Sequence, residues 1–227
     1  MLRRAFLEER YHSIGRQAVL LAADELDSPV ALIQRGMAYR SCTLPDGRRA
    51  ILDLSLPGDI VGLDRIVLGR GNQEVTAASA LGYRALGAAR LRELMTSHAV
   101  ALRIAALMAE ARWRMDRHVA AVCRLDARER IGVFLLDIHD RLLRRGLINR
   151  PTFNLPLTQE QIADHLGMTM VHVNRTLRRM RDDRLVLVDR QVVIITDLDR
   201  LRAVVTGLPV LPDLPEPQLL SEAVAGV

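Results

Sequence analysis

Residues 157–180, LTQEQIADHLGMTMVHVNRTLRRM, admit few conformations. Thr158 is followed three residues on by Gln161, the pattern of a reciprocal N-cap in which each side chain satisfies the other's free backbone amide. The helix it opens is expected to run to about His165, with Ile162, Ala163 and Leu166 on its inner face. Gly167 then supplies a left-handed turn that side chains resist. Met168 fills the angle between the helices, and Thr169 caps a second helix buried along Val173, Leu177 and Met180 at helical spacing. Caps, glycine and core spacing together predict a helix-turn-helix.

The outward face of the second helix is then Met170, Val171, His172, Asn174, Arg175, Arg178 and Arg179. A helix fits the DNA major groove, where asparagine pairs with an adenine edge and arginine with a guanine edge. Val171, His172, Asn174 and Arg175 are therefore the candidate base contacts. Arg178 and Arg179, with Arg181 and Arg184 beyond them, can meet phosphate oxygens. Composition agrees: all 32 basic residues are arginine and the net charge is +5. A GC-rich genome accounts for the missing lysine but not for where the arginines cluster. The competing reading of the segment is a solvated basic helix.

The remainder of the chain has two textures. Residues 1 to about 27 are mixed, and HSIGRQAVLLAADEL reads as either helix or strand. From about 28 to 90 short strands alternate with turns at Pro45-Asp46-Gly47 and Pro57-Gly58-Asp59, which predicts a small roll or barrel. In RRAILDLSL, Ala50, Leu52, Leu54 and Leu56 alternate with Arg49, Ile51, Asp53 and Ser55, the period of a strand with one buried face. EVTAASALGYRAL is expected to be a further strand pair.

From residue 88 to 125 there is neither Pro nor Gly. Ile104, Met108, Ala111, Met115, His118 and Val122 recur at alternating spacings of four and three, a coiled-coil seam with His118 as its polar member. The seam predicts a dimer helix; an intrachain core helix is the other reading. Asp126 then caps a helix ending near Gly146. RLVLVDRQVVIIT is two strands joined at Asp189-Arg190-Gln191, a wing, and Thr196 or Asp197 caps a last short helix. The expected fold class is α+β. Its parts are a β-roll sensor of double-stranded β-helix (jelly-roll) type at 1–97, a dimerisation helix at 98–125, a winged helix-turn-helix at 126–207 and a flexible tail at 208–227.

This order of parts resembles the Crp/Fnr family of transcription regulators, through YRSCTLPDGRRAILDLSLPGDIVGL in the roll and LTQEQIADHLGMTMVHVNRTLRRM in the DNA-binding part. The resemblance implies a roll like that of cyclic-nucleotide-binding proteins. It places the reading positions on Val171, Asn174 and Arg175, with Arg175 the guanine-contacting arginine, and brings Thr158 and Gln159 to phosphate. Thr169, Arg178 and Arg179 complete the expected backbone contacts. Val171 stands where the family often has glutamate, and a valine can touch a thymine methyl but cannot accept a hydrogen bond from cytosine. In GLDRIVLGRGNQEVTAA, Leu63 replaces the glutamate of cyclic-nucleotide-binding members and their Arg-Ser/Thr-Ala step is missing, so cAMP is not expected. Arg65 and Arg70 read either as anion ligands or as surface charges.

No N-terminal cysteine cluster for an iron–sulfur centre is present, and Cys42 and Cys123 lack metal-ligand spacing. No metal or cofactor is assigned, and an unidentified small-molecule effector is left open. The expected function is a dimeric, sequence-specific DNA-binding regulator in the cytoplasm. Its partners are an inverted-repeat duplex, a second copy of the chain and RNA polymerase, with no membrane. Residues 28–90 contain no histidine and one glutamate, Glu74, which argues against an enzyme of metal-dependent type. The alternative is a ligand-binding adaptor whose winged helix contacts protein.

Overall fold

The structure, a computed structural model, describes residues 1–25, 28–69, 71, 73–205 and 208. The expected tail at 208–227 and Arg70 therefore lie outside the described residues, apart from Leu208. The chain divides into two compact units, Met1–Arg114 and Met115–Val227.

The first unit opens with α1 (Leu2–Glu8). Strands β1 (Tyr11–Ile14), β2 (Val19–Leu21), β3 (Val30–Arg35), β4 (Ala38–Thr43), β5 (Arg49–Ser55) and β6 (Ile60–Val61) follow. Helix α2 (Leu63–Leu68), strands β7 (Glu74–Ala77) and β8 (Leu81–Leu86) and helix α3 (Ala88–Leu94) lead into α4 (His98–Arg124), which runs across the division between the units. The strands form two four-stranded antiparallel sheets, β1-β8-β3-β6 and β2-β7-β4-β5. The ambiguous N-terminal segment is thus strand in both halves. The expected β7–β8 pair instead divides between the sheets. Both predicted turns form: Gly47 and Gly58 have φ of 86° and 95°, and Asp59 accepts from the Leu56 amide at 2.7 Å.

One strand departs from its pattern. In β5 the buried residues are Ile51, Leu54 and Ser55; of the Ala50-Leu52-Leu54-Leu56 series, Leu54 and, just past the strand, Leu56 are buried, while Ala50 and Leu52 are not. Arg40 opposes Asp53 while its neighbour Ser41 opposes Ile51, so Leu52 is an extra residue without a partner. Such a bulge switches which side chains face inward. Ile51 before it and Leu54 after it both reach the core.

Arg65 is a second departure. It is 4% exposed, neither a surface charge nor open to an anion. Its guanidinium donates to Ala22 O at 2.6 Å, Ser28 Oγ at 3.1 Å and Gln73 O. A buried cation must have its donors satisfied, and here three oxygens of neighbouring loops do so.

The second unit holds the end of α4, then α5 (Ala127–Arg144), β9 (Thr152–Asn154), α6 (Gln159–Leu166), α7 (Met170–Asp182), β10 (Val186–Asp189), β11 (Val192–Ile195) and α8 (Leu198–Val204). Asp126 caps α5 in a full capping box with Glu129. The wing is three-stranded, β10-β11-β9, because Thr152–Asn154, to which the sequence pattern assigned no element, pairs with β11. Asp197, not Thr196, caps α8. The core gathers Ile131, Phe134 and Ile138 of α5 with Val173, Met180, Val193 and Leu201, all buried.

The seam expected along α4 is corrected at its first residue. Ile104 is 3% exposed and packs with Leu91, Leu94 and Val100 in the first unit's own core. Ala111, Met115, His118 and Val122 are half-buried, and only Met108 of the series is exposed. A different line is exposed throughout: Leu102, Ala105, Ala109, Arg112, Asp116, Val119 and Cys123, again at alternating spacings of three and four. At 3.6 residues per turn its centre lies about 100° around the helix from the expected seam.

Candidate nucleic-acid interface

The helix-turn-helix forms as its local chemistry requires. Thr158 Oγ1 accepts from the Gln161 amide at 3.1 Å, and Gln161 Oε1 accepts from the Thr158 amide at 2.9 Å. Helix α6 ends at Gly167, whose φ of 62° and ψ of 40° put it in the left-handed region. The amides of Gly167 and Met168 both donate to Ala163 O, closing the turn. Thr169 Oγ1 then accepts from the His172 amide at 3.2 Å and starts α7.

Helix α7 is sharply two-sided. Val173 and Met180 are fully buried and Thr176 nearly so. Leu177, expected among the buried residues, is half-buried, and Thr176 takes that place. Thr176 is accommodated there because its hydroxyl donates to His172 O at 2.9 Å. On the other side Val171 is 71% exposed, and Met170, Asn174, Arg175, Arg178 and Arg179 are exposed as well. His172 is half-buried. Thr158, Gln159 and Thr169 are exposed at the starts of the two helices.

Among the described residues, the side chains of Asn174, Arg175, Arg178 and Arg179 make no hydrogen bond or ion pair within the chain. Three guanidiniums and one amide on a single face are thus unspent donors. Sequence reasoning did not find Arg130, which braces the motif from α5: its guanidinium donates to Leu125 O at 2.8 Å and Leu166 O at 3.4 Å. Nothing in its local sequence signals that reach. Among the described residues no three His, Cys, Asp or Glu side chains gather as metal ligands would.

The comparisons with known proteins agree with this geometry. Residues 129–204 match the Crp-like helix-turn-helix domain. The transcriptional activator protein FnrL of Cereibacter sphaeroides is 32% identical over 195 residues, covering 82% of this chain and 75% of that protein. The chain belongs to the Crp/Fnr family. It is a DNA-binding transcription regulator of Crp/Fnr type. The transcriptional activatory protein AadR of Rhodopseudomonas palustris is 28% identical over 193 residues, covering 83% of this chain and 78% of its own length. Among solved structures, FixK2 from Bradyrhizobium japonicum has the same fold, with a TM-score of 0.78 over 88% of this chain and 99% of that one at 22% identity. The roll, long helix and winged helix-turn-helix are thus the Crp/Fnr arrangement in full.

Proposed function

We propose that this Crp/Fnr regulator binds DNA as a homodimer, with two copies of α7 entering successive major grooves of an inverted repeat. The observation that carries the reading is the division of α7: Val173 and Met180 are buried, while Asn174, Arg175, Arg178 and Arg179 stand exposed with no side-chain hydrogen bond or ion pair among the described residues. Asn174 reads an adenine edge and Arg175 a guanine edge; Val171 meets a thymine methyl and His172 lies at the margin of the base contacts. Thr158, Gln159, Thr169, Arg178 and Arg179 hold phosphates and set the register.

One helix reads only a few base pairs. A two-fold pair spaced about 34 Å apart reads twice as many, one helical turn apart. The exposed line from Leu102 to Cys123 supports pairing through α4, in place of the Ile104–Val122 series. In a parallel pair each position on that line faces its own copy. Cys123 is exposed there, so mild oxidation is expected to yield a covalent dimer that Cys123→Ser does not form. The functional division of the chain into a roll at 1–97, a pairing helix at 98–125 and a reading part at 126–207 belongs to the same proposal. The same proposal has the protein act in the cytoplasm, without catalysis, and meet RNA polymerase at its promoters. Among the described residues no single helix is long and apolar enough to cross a membrane. Leu63, in place of the glutamate of cyclic-nucleotide-binding members, argues against cAMP as an effector of the roll.

Selection of bound sequences from random duplexes tests the reading. The expected product is an inverted repeat with half-sites one turn apart and affinity falling steeply with salt. Enrichment of no sequence at low salt would overturn it.

A further inference from the structure

A second cationic feature lies at the C-terminal end of α7. Arg181, Arg184 and Arg200 line an open pocket of about 500 Å³, floored by Val186 and Leu187, with Asp197 at its side. Asp197 caps α8, and its carboxylate is 3.9 Å from the Arg200 guanidinium. Asp197 offsets Arg200, and Asp182 lies 3.8 Å from the Arg181 guanidinium, so among the described residues Arg184 is the lining cation that no carboxylate meets.

Arg184 is the informative member. It stands just past the end of α7 with φ of +56°. The Leu185 amide reaches back to Met180 O at 2.9 Å, the pattern of a helix stop that glycine or asparagine normally fills. A long L side chain is disfavoured in that conformation. The guanidinium gains nothing inside the chain in return, for among the described residues it has no hydrogen bond or ion pair. Thr196 Oγ1 donates to Arg184 O at 2.7 Å and holds the peptide in place. Arg200 is likewise fixed, its amide on Asp197 Oδ1 at 3.0 Å and its guanidinium on Asp183 O at 3.4 Å.

The pocket continues the reading face. Asn174, Arg178 and Arg181 fall at i, i+4 and i+7, one ridge of the helix. At 1.5 Å per residue, Arg181 lies about 10 Å along the axis from Asn174, and the major groove is roughly 12 Å wide. With Asn174 over base edges, Arg181 arrives at the phosphate wall of the groove.

We propose that the Arg181–Arg184–Arg200 pocket binds a phosphate of the DNA backbone outside the base pairs that Asn174 and Arg175 read. This rests on the DNA-binding function above. An acidic protein segment is the other occupant such a pocket suits; the shared ridge with Asn174 and Arg178 favours DNA.

The deciding variant is Arg184→Gly, which removes the charge and relieves the backbone together. Binding to the selected inverted repeat is measured across a salt series, with thermal melting alongside. The melting temperature is expected to rise while affinity falls about five- to tenfold at low salt. The slope of log K against log salt should shrink by about 0.9 for each protomer's lost phosphate, with base preference unchanged. Arg200→Gln should lower affinity and slope in the same sense. If the wild type binds and Arg184→Gly matches it in affinity and slope, as an acidic protein occupant would have it, the inference alone fails. A lower melting temperature, or an altered base preference, also overturns it. If the wild type shows no salt-dependent binding, the proposed function and this inference fall together.

Discussion

His118 of α4 lies face to face with His165 of α6, their ring centroids 4.2 Å apart and their planes 16° from parallel. Phe134 of α5 completes the group at 5.2 Å from the His165 ring. Val122 adds a close approach one turn on, where a side chain at Gly167 would meet its Cγ1 at 3.4 Å. The end of the long helix therefore packs on the first helix of the DNA-binding motif, just behind the turn that aims α7. Stacked ring pairs are worth ~1 kcal/mol beyond the area they bury. A double-mutant cycle of His118→Ala and His165→Ala, read by urea unfolding, should give a coupling of that size. Additive losses would show that the stack contributes nothing of its own.

Arg175→Ala should weaken binding to the preferred site by ~1–3 kcal/mol and relax the preference at one base pair of each half-site. Arg175 is exposed and outside the core, so the melting temperature should hold. Retained discrimination at every position would remove Arg175 from the base contacts.

Charge placed on the two faces of α4 should separate their roles. Leu102 and Val119 are 62% and 50% exposed, so a Leu102→Glu/Val119→Glu variant is expected to fold and sediment as a monomer with poor DNA affinity. Ile104→Asp should instead destabilise the first unit by ~3 kcal/mol or more, since it puts a charge among Leu91, Leu94 and Val100. An intact dimer in the first variant would reject the exposed line as the pairing face.

Arg65→Met keeps the bulk and loses the donors. It leaves Ala22 O, Gln73 O and Ser28 Oγ without the guanidinium they now share, at ~1–3 kcal/mol for each buried group left unmatched. Urea unfolding should register a loss of about 3 kcal/mol. A loss below about 1 kcal/mol would mean that water or rearrangement replaces the guanidinium.

What the sequence made legible was the part built from local rules. Thr158, Gln161, Gly167 and Thr169 each act within a few residues of themselves, so their types and spacing carry their geometry. The errors lie where distant partners decide. Leu52 is a bulge only because β4 opposes β5 in a shifted register. Thr152–Asn154 becomes a strand only because β11 offers it an edge. Arg65 is interior because loops remote in sequence supply its acceptors. On α4 two lines of residues share the same three-and-four spacing, and the more apolar one begins at Ile104, which the first unit's own core takes up. Periodicity identifies a helix face but not which neighbour covers it.

The division of α7 has an evolutionary consequence. Val171, Asn174, Arg175 and Arg178 are exposed and, among the described residues, their side chains form no hydrogen bond or ion pair within the chain. Substitutions at such positions usually shift stability by no more than about 0.5 kcal/mol. Duplicated genes can therefore exchange these letters and acquire new promoters while the scaffold beneath, pinned by Val173 and Met180, goes on folding unchanged. Target choice in this chain is a free variable that drift can explore one residue at a time.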